Sequence, residues 1–179
     1  MHYSMNAVDK KTKYNLNTKF IQGRTNENFD EYFKELKSAI GEQVREIYDK
    51  EKQKPSEDRN LVTFVTDELD QYENAFENHF THMADLDFGV PIAQSEYGLE
   101  HNNNPIERHN GDIKQRYKVM RNFKSYESAA AFLSLRRTIY NHIRPHQSLG
   151  HTPGKEAGIG LDLARNRLLD LIETCAAKK

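Results

Sequence analysis

The sequence predicts a mixed α/β fold, a small sheet flanked by helices, and three observations predict it. Residues 2–8 and 14–21 read as two strands around the turn Asp9-Lys10-Lys11-Thr12-Lys13. Residues 29–52 space their apolar side chains by three and four. LVTFVTD, residues 61–67, is short, apolar and β-branched, with no Gly or Pro inside. A hairpin, then a helix, then an apolar strand is the order of a sheet covered by helices.

Each element has its own signal. In the second arm of the hairpin Tyr14, Leu16, Thr18 and Phe20 alternate with polar residues, the pattern of a half-buried strand. Gly23 and Thr25-Asn26 break it. Phe29, Phe33, Leu36, Ile40, Val44 and Ile47 then form one helical stripe, which Pro55-Ser56-Glu57-Asp58 ends. The composition of 61–67 is that of a strand buried on both faces, stopping at Asp67. A second helix is expected over 71–80, with Tyr72, Ala75, Phe76 and Phe80 inward. Residues 81–103 have no clear period and read as a loop with room for a short strand.

Pro105 suits the first turn of a helix capped by Asn104 or Asn103. Ile106, Ile113, Tyr117 and Met120 share one face of it. A further helix follows Ser125 and stops at Arg144-Pro145. After the loop HQSLGHTPGKEAG a last amphipathic helix is expected over 161–174, with Leu161, Leu163, Ala164, Leu168, Leu169 and Ile172 apolar. The predicted order is β-β-α-β-α-loop-α-α-α, divided into a core over 1–150 and a C-terminal loop and helix over 151–179.

The totals bound the possibilities. A chain of 179 residues supports one domain with a real core. Nine Phe and nine Tyr at regular intervals argue against disorder, although 30% of the residues are charged. The single cysteine, Cys175, excludes an internal disulfide and fits a reducing cytoplasm. No apolar run approaches the ~20 residues of a membrane helix, and the N-terminus lacks a signal-peptide core. The net charge of −1 is unevenly spread. Residues 26–87 hold 17 acids against 7 Lys/Arg, a net of −10, whereas 101–155 hold 10 Lys/Arg against 3 acids, a net of +7. One face meeting a polyanion fits that split; two unrelated solvated patterns fit it too.

Two carboxylates stand out. Asp67 ends the apolar strand, where a side chain can project beyond the sheet into a ligand crevice. Glu107 follows after 39 intervening residues, on the first turn of a helix, where the helix N-terminus favours an anion by ~0.3–1 kcal/mol. A strand-end acid and a helix-start acid would look the same. Hard cations such as Mg²⁺ or Mn²⁺ take oxygen ligands, commonly one or two carboxylates, and two such ions can serve phosphoryl transfer. Arg108, Lys114, Arg116, Lys118, Arg121 and Lys124 follow on one helix and the turn beyond it, a set able to neutralise DNA phosphates. Asn103 can bond phosphate or base edges, or only cap the helix.

Three stretches carry a family resemblance. FVTDELDQYENAF resembles the segment around the second aspartate of the DDE transposases, the retroviral-integrase-like enzymes of insertion sequences. NNNPIERHNGDIKQRYKVMRNFKS resembles their glutamate segment, and YNHIRPHQSLGHTPGKEAGI their C-terminal motif. The resemblance implies an RNase H-like fold and catalysis by three acids on two divalent ions, Mg²⁺ or Mn²⁺. Asp67 matches the second aspartate and Glu107 the glutamate, as catalytic residues and metal ligands. It further implies DNA as partner, a homo-oligomer or pairing with a full-length transposase, and no membrane. Asp9 matches a turn acid, so the first strand and first catalytic aspartate would lie upstream of Met1. The expected function is a transposase catalytic domain for DNA transposition, truncated and inactive alone; the alternative is a non-catalytic DNA-binding or transposase-binding remnant. The seven histidines from His79 to His151, with His79 and His82 three apart, suggest a zinc site less well than that reading, since structural zinc usually takes cysteine. His146 either orders its loop or touches DNA.

Overall fold

The computed structural model describes residues 2–89, 106, 109–111, 113–115, 123 and 125–177. Strands β1 (His2–Val8) and β2 (Asn15–Gln22) pair antiparallel, with Met5 opposite Lys19 and Tyr3 opposite Ile21. Asp9 builds the turn between them. Its carboxylate accepts from the Thr12 amide (2.6 Å) and hydroxyl, and its backbone amide donates to the Tyr14 carbonyl. A turn acid tied in this way is committed to local bonding.

Helix α1 (Asn26–Glu51) starts at Thr25, whose hydroxyl accepts from the Asn28 amide, and carries the predicted stripe inward. Phe29, Phe33, Leu36 and Val44 are buried with Tyr32, while Ile47, at the end of the stripe, is exposed. After a 3₁₀ turn at Ser56–Asp58 comes β3 (Val62–Thr66), then α2 (Asp70–Phe80) and β4 (Ala84–Phe88). Strand β4 runs parallel to β3, with Phe64 opposite Leu86. Phe64 meets Phe80 and Phe76 at 4.7 and 5.5 Å between ring centroids, and Phe29 meets Tyr72 edge-on at 4.7 Å. This aromatic cluster, with Met5, Ile21 and Ala84, is the core. Each such side chain contributes roughly 1.5–3 kcal/mol by burial.

Helix α3 (Tyr126–Thr138) opens on a Ser125–Ser128 capping box and continues into a π-helical turn at Ile139–Ile143. It packs on β2. Before it, residues 106, 109–111 and 113–115 are helical. A short helix α4 (Pro153–Glu156) and a last helix α5 (Arg167–Ala177) close the described chain. Among the described residues no helix is long and apolar enough to cross a membrane.

Three expectations change. Strand β3 is not buried on both faces: no residue of it is fully buried and Thr63 is exposed. The reason is its place in the sheet. The described strands form two separate pairs, β1–β2 and β3–β4, so β3 has a strand on one side only. Residues 84–88 are a strand, which the alternation of Ala84, Leu86 and Phe88 with Asp85 and Asp87 encodes. The last helix begins at Arg167, later than expected, and no residue of it is buried; Leu168, Leu169 and Ile172 are exposed.

Candidate active site

Asp67 stands immediately after β3, in the bend before α2, with its residue exposed. The bend is set locally, because the Leu69 amide donates to the Asp67 carbonyl and the Tyr72 amide to the Leu69 carbonyl. Among the described residues the Asp67 carboxylate makes no ion pair, so its oxygens are open to a ligand. It lies on the wall of a cavity of about 800 Å³ whose lining also includes Arg24, Tyr72, Asn110 and Lys114. The environment is felt at Tyr72: burial, and then the charge of Asp67, push its phenol up to about 12, partly offset by Arg24. Tyr72 is therefore a neutral hydroxyl at physiological pH. Arg24 sits over the Tyr3 ring at 4.5 Å, a cation–π contact at the same cavity.

Of the predicted site residues, Asp67 and Lys114 line this one cavity. Glu107, Asn103, Arg108, Arg116, Lys118, Arg121 and Lys124 lie outside the described residues. The residues just after Glu107 are described, and they are anchored. His109 is buried; its Nε2 accepts from the Asn15 side-chain amide (2.8 Å), and Tyr140 meets its ring edge-on at 4.6 Å. The Asn110 oxygen accepts from Asn6 Nδ2 (2.9 Å). These bonds tie the segment to the β1–β2 sheet from the side opposite α1.

Sequence reasoning missed the residues that hold this arrangement. Strand β2 bulges at its start, where the register shifts between Ala7 and Val8. The bulge turns Asn15 toward α3. There Asn141 grips it in both senses: Asn141 Nδ2 donates to the Asn15 carbonyl (2.9 Å) and its oxygen accepts from the Asn15 amide (2.9 Å). Arg137 donates to the carbonyls of Asn15 and Leu16. Asn15 and Asn141 are both fully buried, so these bonds are made away from water. Behind them Gly154 is packed so closely that a Cβ would stand 2.7 Å from His142 Nδ1. Thus the asparagine of the YNHIRPH motif and the glycine of HTPGK have structural duties. The one available signal was a polar residue on an otherwise apolar helical stripe.

The histidines serve locally. His79 pairs with Asp30 (2.9 Å), while His82 takes a left-handed backbone just past α2. His146 orders its loop: its Nδ1 accepts from the Ser148 amide, and its carbonyl accepts from the Leu149 and Gly150 amides. No group of three or more His, Cys, Asp or Glu able to hold a metal occurs among the described residues. The donors that are described suit a hard cation all the same, since Asp67 offers an unpaired carboxylate and no sulfur lies nearby.

Comparison with known families bears on the segment after β4. Residues 89–153 match the model of the integrase core domain, a stretch that includes Glu107, the basic run and the YNHIRPH motif. No curated protein matches the chain. The mixed sheet, its helical cover and this match agree: the chain carries an integrase-type core of RNase H-like fold, a DNA-recombination core that typically works with divalent metal.

Proposed function

We propose that this chain is the catalytic domain of a transposase, with Asp67 and Glu107 as two of its acids, and that it is weak or inactive alone. The observation that supports the reading most is Asp67, an exposed, unpaired carboxylate at the carboxyl end of β3, sharing a cavity with Lys114. Asp67 and Glu107 would hold Mg²⁺ or Mn²⁺, which when bound activates water and stabilises a leaving 3′ oxygen.

The remaining work falls to the chain's own groups. Lys114 and Arg24 supply positive charge at the mouth of the cavity, where a phosphate backbone carries negative charge. Arg108, Arg116, Lys118, Arg121 and Lys124 extend that charge along the sequence, and Asn103 adds a neutral donor. Tyr72 keeps its proton and donates a hydrogen bond beside Asp67. Asp9 is spent on its turn and leaves the third acid without a candidate among the described residues.

The test has two arms. Mn²⁺ titration followed by electron paramagnetic resonance should give binding that Asp67→Asn and Glu107→Gln each weaken, with the double variant no weaker than the worse single one. Binding indifferent to both substitutions overturns the metal assignment. Strand transfer on short duplex DNA should be absent for the purified chain; robust Mg²⁺-dependent transfer abolished by Asp67→Ala overturns its being inactive alone.

A further inference from the structure

We infer that the gap between the two half-sheets is a docking slot for a single β-strand supplied by another polypeptide. Strand β1 pairs with β2 and strand β3 with β4, and among the described residues no strand joins one pair to the other. The cavity of about 800 Å³ lies between them. Tyr3, Ser4 and Met5 of β1 form one wall, and Asp67 and Leu69, just past β3, belong to the other.

The cavity has the dimensions of a strand. Five residues, the length of β3, extend about 17 Å, and a strand in a sheet occupies about 4.8 Å across and about 10 Å through the layer. That product is about 800 Å³. The lining comes from both faces of the sheet as well. Met5 and Phe29 belong to the face covered by α1, and Phe20 and Leu133 to the face covered by α3. A strand apolar on both sides fits between them.

The kind of occupant follows from the walls. Strand edges present backbone donors and acceptors, which extended backbone satisfies along its length. A second copy of this chain would bring strands already joined in pairs, too wide for a slot one strand across. Arg24 and Lys114 on the lining outnumber Asp67 among its charges, so a strand with an acidic end fits best. The slot is inferred from the division of the sheet alone, so it stands or falls separately from the metal assignment.

The probe is a fluorescein-labelled peptide of five alternating valines and isoleucines followed by glutamate, with lysines at its N-terminus for solubility. Fluorescence anisotropy should show saturable binding to the full chain. Hydrogen exchange should slow about tenfold or more at amides of both β1 and β3. The same peptide with proline at every second position keeps its apolar character but cannot pair, and should not bind. No saturable binding, equal binding of the proline peptide, or protection confined to one of the two strands would overturn the inference. So would a dimer in sedimentation without peptide whose contacts protect both strands, because the slot would then belong to a second copy.

Discussion

Replacing Asn141 by alanine should destabilise the protein by about 2–4 kcal/mol. Asn141 is 1% exposed and holds both the amide and the carbonyl of Asn15, itself 0% exposed. In Asn141→Ala the Asn15 carbonyl keeps Arg137, but its amide loses the partner it has here. A buried amide left unpaired costs about 1–3 kcal/mol. The vacated volume adds roughly 1 kcal/mol, as for a small cavity. At a urea slope of ~2 kcal/mol per molar, the midpoint should fall by roughly 1–2 M. Leu135→Ala, on an exposed position of the same helix, should stay within about 0.5 kcal/mol and controls for helix effects. Exchange of the Asn15 amide should accelerate in Asn141→Ala alone. A midpoint that moves no more than that of the Leu135 variant would refute the clasp between β2 and α3.

Three further outcomes follow from the same geometry. Gly154→Ala should cost about 1–3 kcal/mol in the same urea assay, because its Cβ would meet His142 Nδ1 at 2.7 Å and the Asn141 carbonyl at 2.9 Å. Burial, and then Arg137, hold the His142 imidazole below its ordinary value of 6.5, so the folded chain binds that proton less readily than the unfolded one. Its contribution is complete above pH 6.5 and is lost as pH falls through the lowered value; melting scans across that range should show a decline that His142→Asn flattens. Lys114→Ala should weaken binding of duplex DNA without regard to sequence and reduce the slope of log affinity against log salt by about 1.

What could be read from the sequence was whatever depended on near neighbours in the chain. The hairpin and α1 follow from alternation and from three-and-four spacing, and both appear within a residue or a few of the expected bounds. Asp9 could be placed in its turn because the bonds that fix it reach only three to five residues ahead. Strand β4 was passed over because two aspartates occupy its outward positions and lower its apolar count, although the alternation is there. The error at β3 has another origin. Composition reports what a strand is made to be covered by, and β3 reads as covered on both sides while a strand joins it on one side only.

The clasp was out of reach for a simpler reason. Asn15 and Asn141 are 126 positions apart, and nothing near either announces the other. The last helix failed in the opposite direction, since its apolar stripe is real in sequence but lies exposed, so periodicity alone could not fix its start. For the site, position gave Asp67 as one of two equal possibilities, and the structure adds an open carboxylate on a cavity wall.

The most direct measurement is paramagnetic broadening by Mn²⁺ in nuclear magnetic resonance spectra of the isotopically labelled chain. If Asp67 and Glu107 converge on one ion, substoichiometric Mn²⁺ will broaden the amides of Asp67 and Glu68 together with those of Ile106, His109 and Asn110, and Asp67→Asn will relieve both groups at once. Broadening confined to the acidic surface of α1, or broadening of one group without the other, would contradict it.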